Sequence, residues 1–298
     1  MLSSPLKAKA LFLAIAAFMT AYGSTAQILL PPEGKGFSTV QKFNPRFIAE
    51  NRISSVRAET ETKKDGDRIR KTHLHTVRNF NKSGKTELIA EIHTKRRDTA
   101  ITAYSYAEDR LKCEVKNDVA GLFSYCYTYK DGMPEERKYA RISRSGSLTD
   151  GRFSGKETKI TTEKYTHVRY DNQLHTTLYN SAGRPYQKEI RYFDAHGYLL
   201  KYLRTFVMTS ERFEEVYTYN ALGLLASIET SAGRSDHKTE YTYDAAGNLL
   251  TENRFENGSQ VYRKEFVYEG ADMMLRAELV RRDADEMLEI ITYDYSYQ

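Results

Sequence analysis

The sequence predicts an all-β protein: an antiparallel meander of hairpin repeats about 25 residues long, about eighteen strands in all, forming a twisted or curled open sheet. Three observations carry this. Tyr supplies 23 residues and Pro only 6, a balance that favours extended chain. A motif of alternating aromatics recurs at near-constant spacing. Turn residues punctuate the chain twice per period.

Residues 1–26 stand apart. Lys7 and Lys9 precede an apolar run, Ala10 to Met19, too short to span a bilayer, and Ser24 and Ala26 then form a small-x-small site. That order predicts a signal peptide cleaved after Ala26, and so export to the periplasm, cell surface or exterior. No later run of apolar residues is long enough for a transmembrane helix, and none is expected.

The repeat begins in earnest further on. Tyr241-Thr-Tyr-Asp-Ala-Ala-Gly247-Asn-Leu-Leu250 recurs at Tyr217–Leu225 and again at Arg191–Leu200. Taking the second aromatic as marker gives Phe193, Tyr219, Tyr243, Tyr268 and Tyr293, with weaker copies at Phe80, Tyr106, Tyr129 and Tyr170. Between markers lie further turn signals, Ser181-Ala-Gly-Arg184, Ser231-Ala-Gly-Arg234 and Asn257-Gly258. Tyr241 and Tyr243 alternate with Glu240 and Thr242, a period of two that means strands. In Asp244-Ala-Ala-Gly247 the acid suits the start of a type I turn and Gly the left-handed position that ends it. Asn257-Gly258 suits a tight primed turn. Turns this short join antiparallel neighbours.

The motif Tyr-x-Tyr-Asp-x-x-Gly-x-Leu resembles the YD, or Rhs-type, repeat of secreted and surface bacterial proteins, strongest over residues 189–298. Large members wind many such hairpins into shells and are associated with carbohydrate or cell-surface binding and with enclosing toxin domains. The resemblance implies a binding role at the bacterial envelope. The chain then divides into a leader over 27–50, degenerate hairpin repeats over 51–143, a Ser/Gly-rich loop or insert over 144–158 (alternatively a degenerate unit), and YD-like repeats over 159–298.

Charge is uneven: residues 51–150 sum to +6 and residues 201–298 to −7. Such polarity is a basis for self-association or for docking on an anionic surface, against the plainer reading of solvated sheet faces. Basic residues diluted with acids argue against nucleic acid.

Candidate ligand-binding residues come from the aromatic column: Tyr217, Tyr219, Tyr241, Tyr243, Phe266 and Tyr268. Exposed, they form a ladder of platforms for sugar faces; covered, they are the core stripe between units. Cys113 and Cys126 flank the turn signal Asn117–Gly121, so they should oppose each other and form a disulfide in an oxidising compartment; free buried thiols and metal binding are the alternatives. His73 with His75, and His167 with His175, are two possible meeting pairs, but two histidines alone make a weak metal signal. No catalytic order of residues, phosphate loop or zinc motif is recognisable. The expectation is an exported, non-enzymatic binding module without cofactor or metal, its partner a carbohydrate or a surface protein. The alternative is a structural or protein-interaction scaffold using the unpaired strands at the sheet ends, and a third a glycan-degrading hydrolase.

Overall fold

The computed structural model describes residues 27–33, 41–118, 120–143, 148–149, 152–153, 155–232, 235–270, 273–283 and 287–298. The expected signal peptide, its cleavage site and part of the insert lie outside these residues.

A short helix α1 (Pro45–Glu50) leads into the strands. The first run is β1 (Ile53–Lys64), β2 (Arg70–Phe80), β3 (Thr86–His93), β4 (Asp98–Ala107), β5 (Arg110–Asp118), β6 (Gly121–Lys130) and β7 (Met133–Ile142). Within the insert β8 (Leu148–Thr149) and β9 (Arg152–Phe153) form a separate small pair. Then come β10 (Glu157–Tyr170), β11 (Gln173–Tyr179), β12 (Pro185–Phe193), β13 (Leu199–Phe206), β14 (Arg212–Tyr219) and β15 (Leu225–Ala232). The last five are β16 (Ser235–Tyr243), β17 (Leu249–Glu256), β18 (Ser259–Glu269), β19 (Met274–Arg282) and β20 (Met287–Tyr297).

Each strand pairs antiparallel with its neighbour in one 18-stranded sheet, as the meander predicts. The sheet does not stay open. β20 pairs with β1 from Ile53↔Tyr297 to Lys64↔Met287, and β10 pairs with β7 across the insert, so the strands close into a barrel. Closure has a physical cause: strand twist curls the sheet, and joining its ends satisfies two rows of backbone groups that an open sheet leaves unpaired. The sheet-end strands expected to mediate scaffold contacts are therefore paired with each other.

The turns follow the sequence. Asp244 Oδ1 accepts from the amides of Ala246 (2.9 Å) and Asn248 (2.8 Å), and Gly247 takes φ 87°. Asn220, Asp194, Asn180 and Asn81 cap equivalent turns in the same way. The acid of Asp244-Ala-Ala-Gly247 thus caps its turn as the sequence predicts. Cys113 and Cys126 face each other in register and are bridged.

The leader is more than a lead-in. Leu29 bridges Phe43, and Ile28, Phe43, Phe47 and Ile48 are buried against Phe80, Leu249, Leu275 and Tyr293 of the inner wall. This segment plugs the end of the barrel that carries the Asp244 turn, where Gln27 Nε2 donates to Ala246 O at 3.0 Å.

Candidate functional site

Antiparallel partners share a face, so the pairing register sorts inner from outer residues. All six residues of the aromatic column face the interior: Tyr217 and Phe266 are buried, and Tyr219, Tyr241, Tyr243 and Tyr268 half-buried. Their hydroxyls have structural work. Tyr219 donates to Leu199 O (2.8 Å), Tyr243 to Leu225 O (2.7 Å) and Tyr268 to Leu249 O (2.8 Å), while Tyr217 donates to Glu215. Tyr106 and Tyr129 do the same to Thr86 O and Leu111 O.

Two markers shift. Tyr295, not Tyr293, donates to Leu275 O (2.6 Å). Tyr170 is exposed, and His167 Nε2 donates to Pro134 O (2.7 Å) in place of a tyrosine. His167 and His175 do not meet: His167 pairs with Thr176 and His175 with Val168, which puts them on opposite faces. Among the described residues no group of three metal-ligating side chains forms.

The inner wall also carries charge, which alternation of apolar and polar residues does not announce. Lys42 of the plug reaches Glu278 (2.5 Å) and Tyr293 Oη (2.6 Å), and Lys264 approaches Glu278 from the other side (3.2 Å). Burial alone would raise the Glu278 pKa, but the two ammonium groups outweigh it and hold the carboxylate below its ordinary range.

Away from the plug, β6, β7 and β10 to β13 line an open pocket of about 300 Å³ formed by Tyr127, Arg137, Tyr165, Tyr186, Gln187, Glu189, Arg191 and Tyr202 among others. Arg137 bonds Glu163 at 2.6 Å and Arg191 bonds Glu189 at 3.0 Å. Gln187 donates to Glu189 (2.7 Å). Burial pushes the Tyr165, Tyr186 and Tyr202 hydroxyls up, with Glu163 or Glu189 adding to it, so all three stay protonated at neutral pH. The chamber combines ring faces, neutral hydroxyls and two ion pairs, a set suited to a polar ligand with some apolar surface. Sequence reasoning missed it. The readable signal was charge on the marker face, as in Glu189-x-Arg191-x-Phe193 and Glu163-x-Tyr165-x-His167.

Residues 219–259 match the family model described as RHS Repeat. The chain carries an RHS repeat. Its match covers β15 to β17 and the Asp244 turn between β16 and β17. No curated protein sequence matches the chain. Among solved structures the chain is similar to a porin-like protein from Bacteroides uniformis ATCC 8492, at 11% identity and TM-score 0.40, over 82% of this chain and 98% of that one. A porin-like protein from Bacteroides vulgatus ATCC 8482 matches at 12% identity and TM-score 0.33, over 83% and 98%. A chain of TcdB2-TccC3-Cdc42 matches at 12% identity and TM-score 0.27, over 72% of this chain and 14% of that one.

Proposed function

We propose that this RHS-repeat barrel is an exported, non-enzymatic carbohydrate-binding vessel of the bacterial envelope, with its ligand in the chamber between Tyr127, Arg137, Tyr165, Tyr186, Arg191 and Tyr202. One observation carries the reading: four tyrosines and two Arg–Glu pairs converge on one pocket of about 300 Å³. Ring faces cover the apolar face of a sugar, while guanidinium, carboxylate and phenol groups answer its hydroxyls. The volume lies at the small end of ligand pockets, a size for one or two sugar rings.

The outer wall supports a barrel bathed in water. Lys238 lies between Glu229 (3.4 Å) and Glu240 (3.0 Å), and Arg263 pairs with Glu265 (2.8 Å), all on outward positions. Charges facing lipid would cost about 2–4 kcal/mol each at mid-bilayer.

Glycan-array binding of the parent, Tyr165→Ala and Arg137→Gln proteins tests the proposal. The parent should retain a glycan, and each variant should lose at least tenfold in affinity with its β-sheet circular dichroism intact. Lys238→Ala on the outer wall should bind as the parent does. A parent that retains no glycan, or a Tyr165→Ala protein with unchanged affinity, overturns the reading.

A further inference from the structure

The end of the barrel opposite the plug carries two adjacent basic turns. One joins β1 to β2 and the other β3 to β4. They are tied together, because Thr94 donates its amide (3.0 Å) and its hydroxyl (3.2 Å) to His73 O. Residues 63–71 and 95–98 hold eight Lys and Arg against three Asp. Their net +5 equals that of the whole 298-residue chain, concentrated on one side of one rim. All eight cations are exposed, and among the described residues only Arg70 of the eight is ion-paired, to Asp67 at 2.7 Å. Like charges this dense repel one another, and a counter-surface relieves that repulsion.

A second feature separates a lipid surface from other polyanions. Ile69 stands 51% exposed at the turn between Arg68 and Arg70. Apolar tips flanked by long cationic side chains suit the headgroup layer, where the tip enters the acyl boundary and the cations remain with the phosphates. A soluble polyanion gains nothing from Ile69. Beneath the β3–β4 turn, outward positions Ala90 and Ile92 of β3 and Ile101 of β4 carry no charge, while those of β1 carry Arg57, Glu59 and Glu61.

We infer that this rim is a docking surface for an anionic phospholipid bilayer, holding the barrel at a membrane surface without crossing it. β20 pairs with β1, so the β19–β20 hairpin stands next to the β1–β2 turn and the β17–β18 hairpin one further along the same rim.

Co-sedimentation of the full chain with phosphatidylglycerol/phosphatidylcholine vesicles and with pure phosphatidylcholine vesicles tests this without any glycan. Binding should require phosphatidylglycerol and weaken steeply with salt. The combined Lys71→Gln, Lys95→Gln, Arg96→Gln protein should lose affinity on the order of 100-fold, at about a factor of five per cation. The uncharged Ile69→Gln should also weaken vesicle binding while leaving retention on heparin resin unchanged. Equal sedimentation with neutral vesicles, or none with anionic ones, overturns the proposal. So does an Ile69→Gln protein that binds vesicles as the parent does, which would make the rim a general polyanion site. Because these substitutions lie outside the chamber, glycan binding and vesicle binding fail separately.

Discussion

The hydroxyl of Tyr268 donates to the carbonyl of Leu249 at 2.8 Å, reaching from the end of one hairpin to the start of the strand before it. Leu249 itself pairs with Tyr243, whose hydroxyl reaches back in turn to Leu225 O. Six repeats, those ending at Tyr106, Tyr129, Tyr219, Tyr243, Tyr268 and Tyr295, are thus fastened to their predecessors by one phenol each. Tyr268→Phe keeps the ring and removes the donor, and should cost about 1 kcal/mol in urea unfolding. Tyr268→Ala also empties the packed volume and should cost about 3–5 kcal/mol. If instead Tyr268→Ala unfolds as the parent does and loses glycan retention, the column is the ligand surface and the chamber is not.

This fastening explains why the fold was legible. The spacing from Tyr219 to Tyr243 to Tyr268 reports a contact that these units repeat, and Asp244 and Gly247 report a turn that only a few residue types close. Closure was not legible. Nothing local in Ile53–Lys64 or Met287–Tyr297 marks them as partners, since pairing between chain ends leaves no short-range pattern. The chamber was hidden for another reason: Arg137, Glu163, Glu189 and Arg191 read as solvent-facing, whereas an 18-stranded lumen is wide enough to keep paired charges inside. The plug did leave a trace in Asn44-Pro45 followed by Phe47-Ile48. Asn44 Oδ1 accepts from the Arg46 amide (3.1 Å), a helix start with two apolar residues behind it.

Glu278 is 1% exposed and holds both Lys42 of the plug and Lys264 of the wall. Glu278→Leu leaves two buried ammonium groups facing each other and should cost about 3–5 kcal/mol, whereas Lys42→Met leaves the Lys264 pair in place and should cost less. In the parent, the folded carboxyl ionises below its ordinary 4.5, so its contribution is present above that pH and lost as pH falls through the lowered value. Urea midpoints of parent and Glu278→Leu should therefore converge on acidification; a constant gap would remove the ion triad as the cause.

Burial raises the pKa of Tyr104, Tyr106 and Tyr241 from 10.0 to about 12. The unfolded chain gives up these protons first. Their stabilisation is therefore complete below pH 10 and disappears as pH rises through 12. Tyrosinate absorbance at 295 nm should rise in two stages, the second coinciding with loss of the β-sheet signal. A single titration near pH 10 with the fold intact would place these rings in water.

Gly84 closes the β2–β3 turn at φ +75°, directly under α1, and a Cβ there would lie 1.8 Å from Pro45 O and 3.0 Å from the Ala49 amide nitrogen. Both obstacles are backbone, so no side-chain rotation relieves the clash. Gly183 supplies the control: it has nearly the same conformation, φ +73°, with nothing within 4 Å of the added carbon. Gly183→Ala should therefore cost only the left-handed penalty, about 1–2 kcal/mol. Gly84→Ala carries the same penalty and in addition must lift α1, exposing Phe47 and Ile48 from the core they share with Phe80. Hydrogen exchange should then show residues 41–51 losing protection in Gly84→Ala and keeping it in Gly183→Ala, with the strands of the barrel protected in both. Equal effects of the two substitutions would mean that α1 is not seated against this turn, and that the plug is held by its other contacts, those of Gln27, Ile28, Lys42 and Phe43.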